Sequence, residues 1–451
     1  MASTAASRHL VAVPFPGRGH INPMLAVCSL LVAADGELTV TVVVTEEWHS
    51  LLASAGVLAT LPASVSFATI PNVVPSEHGR GDDHAGFIEA VHAKMGEPVE
   101  RLLDRLVLER RPDAVVVDTY LTWGVDVGAR RGIPVCSLWT MAATFFWALY
   151  HIDLWPPVDG RESDQELECK SLEQYVPGLS SVRLSDIKFY RSYWEQPLKL
   201  AAMVLDNVRK AQCVLFTSFY ELEHRALDRI TQGVPFPVYP VGPSVSGIPS
   251  NGDPGNGKIR DEEHRAWLDA QPESSVLYVS FGSVVSVAPS QLEEVAMALR
   301  DSGVGFFWVV RDDKARAGVQ QIAGGKGLVV PWAGPGSVGG FLSHCGWNSV
   351  LEAVVAGVPL IAFPFGWDGR IVADETGIGI NLWEQRRREG GGSGRAATKL
   401  MDPNDGESQE MRRRASRLRE ACRGAVQECG SSRRSSNSFV KDLAGGRLNC
   451  Q

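Results

Sequence analysis

The chain lacks the excess of basic residues that nucleic-acid binding requires. Its 451 residues carry a formal net charge of -8 at pH 7, whereas contacts to nucleic-acid phosphates need a net basic surface. Arginine runs occur only locally, as in the stretch 411–423. The sequence therefore predicts a small-molecule partner and no nucleic acid.

Long hydrophobic runs are also missing. Pro14 and Pro16 interrupt the apolar stretch near the N-terminus, and no small-residue cleavage site follows it. The later segment 135–150 contains Ser137 and Thr144 and falls short of the about 20 apolar residues that a spanning helix needs. We therefore expect neither a signal peptide nor a membrane span.

The cysteines and other metal-binding residue types form no compact group. The eight cysteines are scattered, without a C-x-x-C pair, which is typical of reduced thiols in a cytoplasmic protein. The sequence also contains no Asp-x-Asp and no His/Cys cluster. We expect no metal and no bound cofactor.

What the chain does have, in its first half, is an alternation of apolar runs with helical patterns. A helix is predicted over 22–34, and buried strands are predicted at 9–15, 38–45, 112–118, 133–138 and 211–218, the last of these being the final strand. Continuous Val-rich runs separated by helices indicate a parallel sheet covered on both faces. The first half is therefore predicted to be a doubly wound α/β domain.

The second half repeats this pattern after a segment rich in Pro, Gly and Asn. A helix is predicted over 289–302, and strands are predicted at 275–281, 305–310, 327–331, 338–343 and 358–363. The expected domains are 1–244, a linker 245–260, a second domain 261–430, and a C-terminal helix or tail 431–451 that packs on the first domain. Two such sheets place their ligand loops around one interdomain cleft.

The composition of three polar stretches in the second half predicts their local structure. The segments 390–394 and 431–436 have low complexity and are interpreted as loops. The charges of 411–423 are spaced for a solvated helix, with a nucleic-acid patch or localisation signal as the alternative.

The stretch FLSHCGWNSVLEAVVAGVP, 341–359, indicates the end of a strand, a polar turn and a helix closed by Gly357. Ser349 and Glu352 fit the spacing of a capping box. Alternatively, this helix start is an anion site for a diphosphate, and Glu352 accepts hydrogen bonds from ribose hydroxyls. Spacing alone leaves both interpretations open.

A second constellation follows the predicted strands of the first half. His20 lies in a loop after the first strand, and Asp118 ends another strand, where an α/β fold displays its working residues. A base at His20 oriented by a carboxylate at Asp118 would activate a hydroxyl. Alternatively, His20 is a surface histidine of the loop and Asp118 is a helix N-cap. Gly17 and Gly19 lack the third glycine of a dinucleotide motif.

Several segments resemble the plant family 1 UDP-dependent glycosyltransferases. GLVVPW and GGFLSHCGWNS, followed by Glu352, the turn 357–359 and PFGWD, are similar to the nucleotide-sugar box of that family. PFPGRGHINPML, VVVDTYLTW, SLWTMA and VSFGSV also match family segments in family order. The resemblance implies the GT-B architecture of two Rossmann-like domains facing an interdomain cleft. It also implies inverting transfer of a sugar from a UDP-sugar to a small acceptor.

The resemblance also implies residue roles. His20 matches the catalytic base, with Asp118 as its orienting carboxylate. The donor-binding set comprises Ser283, Trp332, Ala333, His344, Trp347, Asn348, Ser349, Glu352, Trp367, Asp368 and Thr140. In this set Trp332 stacks on uracil, Glu352 binds the ribose, and His344, Asn348, Ser349 and Ser283 bind the diphosphate. Trp367, Asp368, Trp139 and Thr140 face the sugar, while Trp347 packs behind the phosphate turn.

The box departs from the family pattern in two places. After Trp332 the family's glutamine is absent and the loop is shorter by roughly six residues. Gly369 replaces the glutamine after Asp368, and roughly four further residues are missing. A homologue that binds the acceptor without transferring sugar is therefore the second hypothesis, and a gene model that lacks coding residues would give the same pattern. An NAD-dependent dehydrogenase shares only the alternation of strands and helices.

The preferred hypothesis is a monomeric, cytoplasmic UDP-glycosyltransferase. Its expected partners are a UDP-sugar donor, with UDP-glucose as the expected sugar, and a hydroxyl or carboxyl group of a small hydrophobic metabolite. The acceptor pocket is expected in variable loops such as 71–95 and 180–196.

Overall fold

The computed structural model describes residues 7–77, 83–157, 163–193, 195–244, 262–282, 287–330, 338–363, 371–382 and 392–448. The chain forms two compact units. The first unit comprises residues 1–179, 187–244 and 424–451, and the second comprises 180–186 and 245–423. The predicted linker 245–260 lies outside the described residues, so the predicted domain boundaries stay predictions.

Seven parallel strands build the first unit: β1 (Arg8–Val13), β2 (Leu38–Thr45), β3 (Val65–Ile70), β4 (Ala114–Asp118), β5 (Val135–Trp139), β6 (Cys213–Phe216) and β7 (Val238–Pro240). Their order across the sheet is β3-β2-β1-β4-β5-β6-β7. The helices of this part of the chain are α1 (Arg18–Ala34), α2 (Glu46–Ser54), α3 (His84–Lys94), α4 (Gly96–Glu109), α5 (Gly124–Ala129), α6 (Ala143–Tyr150), α7 (Asp164–Cys169), α8 (Leu184–Tyr193), α9 (Glu195–Val208) and α10 (Tyr220–Gly233). Short 3-10 helices occur at Leu58–Thr60, Ile152–Leu154 and Leu172–Gln174.

Both faces of this sheet are buried. Successive side chains of β1 point to opposite faces: Leu10 and Ala12 join one hydrophobic cluster, and Val11 and Val13 join the other. All five residues of β4 are buried. Both faces of the sheet are therefore apolar and covered by other parts of the chain, which confirms the predicted parallel sheet with two buried faces. The strand order reverses between β1 and β4, and ligands of such sheets bind beyond the carboxyl ends of the strands at that point.

Six parallel strands build the second unit: β8 (Val276–Ser280), β9 (Gly305–Val309), β10 (Gly327–Val330), β11 (Gly340–Ser343), β12 (Leu360–Ala362) and β13 (Gly379–Asn381). Their order is β10-β9-β8-β11-β12-β13, so it reverses between β8 and β11. The helices that follow residue 261 are α11 (Glu262–Asp269), α12 (Pro289–Ser302), α13 (Asp313–Ala323), α14 (Trp347–Ala356), α15 (Ser393–Met401), α16 (Gly406–Ala425) and α17 (Ser431–Ala444), with a 3-10 helix at Gly324–Lys326 and a π-helix at Ile371–Glu375. The second doubly wound sheet is confirmed.

The last helix belongs to the first unit. Phe439 of α17 is fully buried in one of that unit's hydrophobic clusters, and its ring lies 5.4 Å from that of Tyr239 in an edge-to-face arrangement. The Tyr239 hydroxyl donates a hydrogen bond to Asp442 Oδ2 at 2.6 Å. A ring contact and a hydrogen bond thus hold α17 on strand β7.

Several local predictions are wrong. The first helix begins at Arg18, so His20 lies in its first turn and not in a loop. The run 211–218 does not contain the last strand, because β7 follows it. The segment 431–436 is helical because it forms the start of α17, and the end of 390–394 lies in α15. The predicted helix over 411–423 is confirmed within α16.

Within the parts of the chain that are described, no helix combines the length and the apolar content that crossing a bilayer demands.

Candidate active site

The first site lies where the strand order of the first sheet reverses. Gly17 precedes α1, and His20 lies in the first turn of that helix, close after β1. Asp118 is the last residue of β4, which pairs directly with β1 in the register Val13 to Val117. Because both residues follow neighbouring strands at the same sheet edge, the fold brings them together.

The contact between them has the geometry of an oriented base. Nδ1 of His20 lies 2.8 Å from Oδ2 of Asp118 and 3.1 Å from the hydroxyl oxygen of Thr140. The backbone N–H of Tyr120 donates to the other carboxylate oxygen of Asp118 at 3.0 Å. Asp118 is fully buried, whereas a quarter of the His20 side chain is exposed. A carboxylate at Nδ1 favours the tautomer whose Nε2 is free to accept a proton.

Aromatic rings enclose the imidazole. The Phe15 ring lies 5.0 Å from that of His20 and the Tyr120 ring 5.8 Å, the latter edge to face. Tyr120 in turn stacks on Trp139 at 6.0 Å. The Trp139 ring is fully buried, and its Nε1 donates to the carbonyl of Ala142 at 2.8 Å. The predicted contact of Trp139 with a sugar is therefore wrong, because the indole is part of the protein core.

Tyr120 was missed as a neighbour of the base, although it stands two residues after Asp118 in the segment VVVDTYLTW.

The second site lies where the strand order of the second sheet reverses. His344 follows β11, Gly282 follows β8, and these strands are paired. A Cβ atom added to Gly282 would lie 2.5 Å from the imidazole, and one added to Gly346 would lie 2.5 Å from its Nε2. Two glycines therefore create the space in which the His344 ring is held.

Two buried ring nitrogens around the start of α14 have no hydrogen-bond partner in the part of the chain that the structure describes. Burial lowers the pKa of His344 to about 4, which keeps the imidazole neutral near pH 7. Its Nδ1 atom and Nε1 of the buried Trp347 find no hydrogen-bond partner among the residues that the structure describes. Cys345 adopts a left-handed conformation, with φ 58°, which is uncommon for a residue with a side chain. Buried polar atoms without partners are unfavourable, so a ligand that supplies partners is expected here.

The start of α14 is open, and the capping-box interpretation is wrong. The helix begins at Trp347, so Gly346 occupies the N-cap position and Ser349 is the third helical residue. No side chain among the described residues caps this helix start, although the helix does end at left-handed Gly357, as predicted. An uncapped N-terminus has partial positive charge and free N–H groups for an anion.

Glu352 lies one turn further along α14. Burial raises the pKa of its carboxyl to about 7. Burial, and then the charge of Glu352, raise the pKa of Tyr278 in the neighbouring strand β8. A half-buried carboxylate is poorly solvated, so hydroxyl groups of a ligand would stabilise its charged form. Tyr278 was not predicted as part of the site, and the apolar run SVLYVSF gives no signal for it.

Ser283, Trp332, Ala333, Trp367 and Asp368 lie outside the described residues, as does Gly369. The structure brings together His20, Asp118 and Thr140 in the first unit, and His344, Trp347, Asn348, Ser349 and Glu352 in the second. Thr140 contacts His20, whereas its predicted contact with a sugar stays a prediction.

Known proteins resemble this chain over almost its whole length. The family model described as UDP-glucoronosyl and UDP-glucosyl transferase matches residues 184–375. UDP-glycosyltransferase 87A1 of Arabidopsis thaliana is 40% identical over 450 residues, which cover 96% of this chain and 99% of that protein.

Two solved structures share the fold. One is a UDP-glucosyltransferase from Polygonum tinctorium that is capable of glucosylating indoxyl, in complex with 3,4-dichloroaniline; it is 26% identical, with a TM-score of 0.77 and coverage of 98% of this chain and 99% of that one. The other is UGT2 of Phytolacca americana complexed with UDP-2fluoro-glucose and pterostilbene; it is 26% identical, with a TM-score of 0.76 and coverage of 97% and 100%.

Proposed function

We propose how this chain, which belongs to the plant family 1 UDP-glycosyltransferases and has their GT-B fold, transfers a sugar. It is thus an enzyme that transfers a sugar from a UDP-sugar to a small molecule.

The proposed base is His20. Nε2 of the neutral imidazole takes the proton of the acceptor hydroxyl while the acceptor oxygen bonds to the anomeric carbon. The bond from that carbon to the diphosphate breaks, UDP leaves with the electron pair, and attack from the opposite face inverts the configuration. Asp118 stabilises the imidazolium that forms. The observation that carries this proposal is the 2.8 Å contact between His20 Nδ1 and the fully buried Asp118.

The proposed nucleotide site is the start of α14. The partial positive charge of the open helix end favours the diphosphate in the bound donor and in the leaving UDP. His344 and Trp347 each have a buried ring nitrogen without a partner among the described residues. The Trp347 N–H can donate to a phosphate oxygen, whereas Nδ1 of the neutral His344 ring donates only in the tautomer that places the proton on it and not on the nitrogen bonded to the Ser280 backbone. Glu352, whose pKa burial raises to about 7, accepts hydrogen bonds from the ribose hydroxyls.

Glucose is the proposed sugar, and a small hydrophobic metabolite is the proposed acceptor. The named activity of the Polygonum tinctorium protein and the fluoroglucose donor of the Phytolacca americana complex support the first choice. The aromatic ligands of these two structures support the second. Gly369 stands where the family has a glutamine that contacts the sugar, so UDP-glucose should be compared with other UDP-sugars.

Incubation of the purified chain with UDP-glucose and a panel of aromatic alcohols and acids tests the proposal. Mass spectrometry should detect a glycoside and an equal amount of UDP with the wild type, and at least about a hundredfold less of each with His20→Ala at equal time. Proton NMR of the product should show the inverted anomeric configuration. Equal transfer by the wild type and His20→Ala would contradict the proposed base.

Monomeric state, cytoplasmic location and independence from metal ions stay predictions. Gel filtration, imaging of the tagged full chain and assays in excess chelator test them separately.

A further inference from the structure

We infer that Glu223 is a positioning residue for the base: its buried carboxylate fixes the turn that holds Thr140 against His20. This inference rests on the proposed function because it gives Glu223 a role in the reaction assigned to His20. Glu223 lies 203 positions after His20 in the sequence and belongs to a different helix, α10.

The carboxylate of Glu223 caps a helix that has no cap of its own. The N-cap position of α6 is Ala142, whose side chain cannot accept a hydrogen bond. The backbone N–H groups of Ala143 and Thr144 instead donate to the two carboxylate oxygens of Glu223, each at 2.9 Å. A negative charge at this end of α6 also complements the helix dipole. Glu223 therefore satisfies two groups that would otherwise lie buried without partners.

The burial of Glu223 has a local cause in the backbone. Its φ and ψ angles, −129° and 34°, depart from helical values inside α10. Only 2% of the residue is exposed, whereas Glu221, two positions earlier, is exposed and accepts a hydrogen bond from Ser431 at 2.8 Å. A buried carboxylate is costly unless it is hydrogen-bonded, so the paired N–H groups account for its position.

The turn that Glu223 fixes leads directly to the base. Between β5 and α6 the chain runs through only three residues, 140–142. Its far end is held by Glu223, and Trp139 Nε1 donates to the carbonyl of Ala142. At its near end the Thr140 hydroxyl lies 3.1 Å from Nδ1 of His20. Movement of the α6 start would therefore move Thr140 and change the hydrogen bonding of the imidazole.

The matched pair Glu223→Gln and Glu221→Gln tests this inference. Glutamine keeps the shape of glutamate but presents an NH2 group to one of the two backbone N–H groups. We expect kcat of Glu223→Gln to fall by about threefold to tenfold, no more than the loss expected when the Thr140 hydroxyl itself is removed. Its KM for UDP-glucose and its affinity for UDP should stay unchanged, and Glu221→Gln should match the wild type in every parameter.

A double-mutant cycle separates positioning from a loss of folded protein. If Glu223 acts through Thr140, Glu223→Gln should slow the Thr140→Val variant by a clearly smaller factor than it slows the wild type. If Glu223 instead acted independently of Thr140, Glu223→Gln would slow the wild type and Thr140→Val by the same factor. Equal factors would overturn the inference. Rates are expressed per folded molecule, with the folded fraction taken from circular dichroism at the assay temperature.

Hydrogen exchange of the full chain gives a result that does not depend on turnover. Peptides covering 139–146 should exchange faster in Glu223→Gln than in Glu221→Gln, and the His20 ring signals in NMR should shift only in Glu223→Gln. If the wild type transfers no sugar, the proposed function fails while these two measurements still decide the positioning claim. Unchanged exchange and unchanged ring signals in Glu223→Gln would overturn the inference, even if His20→Ala abolishes transfer.

Discussion

The sites of the two units lie at the same point of two similar sheets, but their side chains differ in how far protein groups already satisfy their hydrogen bonds. Each site lies where the strand order reverses, between β1 and β4 in one sheet and between β8 and β11 in the other. In the first unit, protein groups already bind the key side chains: Asp118 accepts from a backbone N–H and contacts His20. In the second, Nδ1 of His344 and Nε1 of Trp347 have no partner among the described residues.

This difference follows from what each site must do. A base works when its tautomer and orientation are fixed before the substrate arrives, so its hydrogen bonds are made within the protein. A nucleotide site gains affinity from polar groups that obtain their partners only when the ligand binds. Burial shifts the pKa of His344 down to about 4 and that of Glu352 up to about 7, and both shifts show polar groups held in poorly solvated positions.

The largest expected effect concerns the base. His20→Ala should lower kcat by about 10²-fold to 10⁴-fold, the usual contribution of a positioned base. The exposed His224 of α10 provides the control, and His224→Ala should keep the wild-type rate. Steady-state kinetics with UDP-glucose measures both variants, and a loss of less than threefold in His20→Ala would be inconsistent with the proposed role.

Glu352 should make the stability of the protein depend on pH. Its folded-state pKa of about 7 lies above the ordinary 4.5, so the folded protein binds more protons than the unfolded chain between these values. The free energy of unfolding should therefore fall as pH rises from 4.5 to 7. The loss is on the order of 3 kcal/mol as an upper limit, because Glu352 keeps some contact with water.

Urea unfolding across this range measures the effect in the wild type and in Glu352→Gln. The variant lacks the titrating carboxyl, so it should be more stable than the wild type above pH 7 and show a flatter pH dependence. The exposed Glu294 is the matched control, since Glu294→Gln should follow the wild-type curve. Parallel curves for wild type and Glu352→Gln would show that the carboxyl is well solvated in the folded state.

A smaller effect is expected when the space around His344 is reduced. Gly346 has φ −57°, which alanine also adopts, but its Cβ atom would lie 2.5 Å from His344 Nε2. Gly346→Ala should therefore displace the imidazole and weaken UDP binding by about tenfold, corresponding to one lost hydrogen bond to a charged ligand. Gly424→Ala, at a helical position with no heavy atom within 4 Å, should bind UDP like the wild type.

The smallest effect is expected at Thr140. Thr140→Val keeps the shape of the side chain and removes the hydroxyl that lies 3.1 Å from His20 Nδ1. Because Asp118 still orients the ring, kcat should fall only by about threefold to tenfold, the size of one neutral hydrogen bond. Kinetics at saturating UDP-glucose measures this change, with Thr140→Ser as the control that restores the hydroxyl. A larger loss in Thr140→Ser than in Thr140→Val would contradict the role of the hydroxyl.

In the first sheet, the central strands could be predicted from sequence, and the two edge strands could not. The strands β1, β2 and β4 have neighbours on both sides and are covered on both faces, so they appear as continuous Val-rich runs. In contrast, β3 and β7 are the two edges of their sheet. The first mixes buried and exposed positions and the second ends in Pro240, so neither shows the pattern of a buried strand.

The site residues could be predicted where a reactive side chain lies at or just after the end of a strand, as His20 and Asp118 do. Ser349 was misinterpreted because its spacing to Glu352 fits a capping box, whereas the helix already begins at Trp347. Glu223 gave no signal, since it binds backbone N–H groups 79 and 80 residues away. Backbone groups have no sequence signature, so only the structure reveals this contact.

Calorimetric titration with UDP shows whether nucleotide binding and proton transfer belong to different units. We expect micromolar-range binding to the wild type and to His20→Ala, and binding about tenfold or more weaker to Glu352→Gln. Loss of UDP binding in His20→Ala, or unchanged binding in Glu352→Gln, would contradict the separation of the two sites.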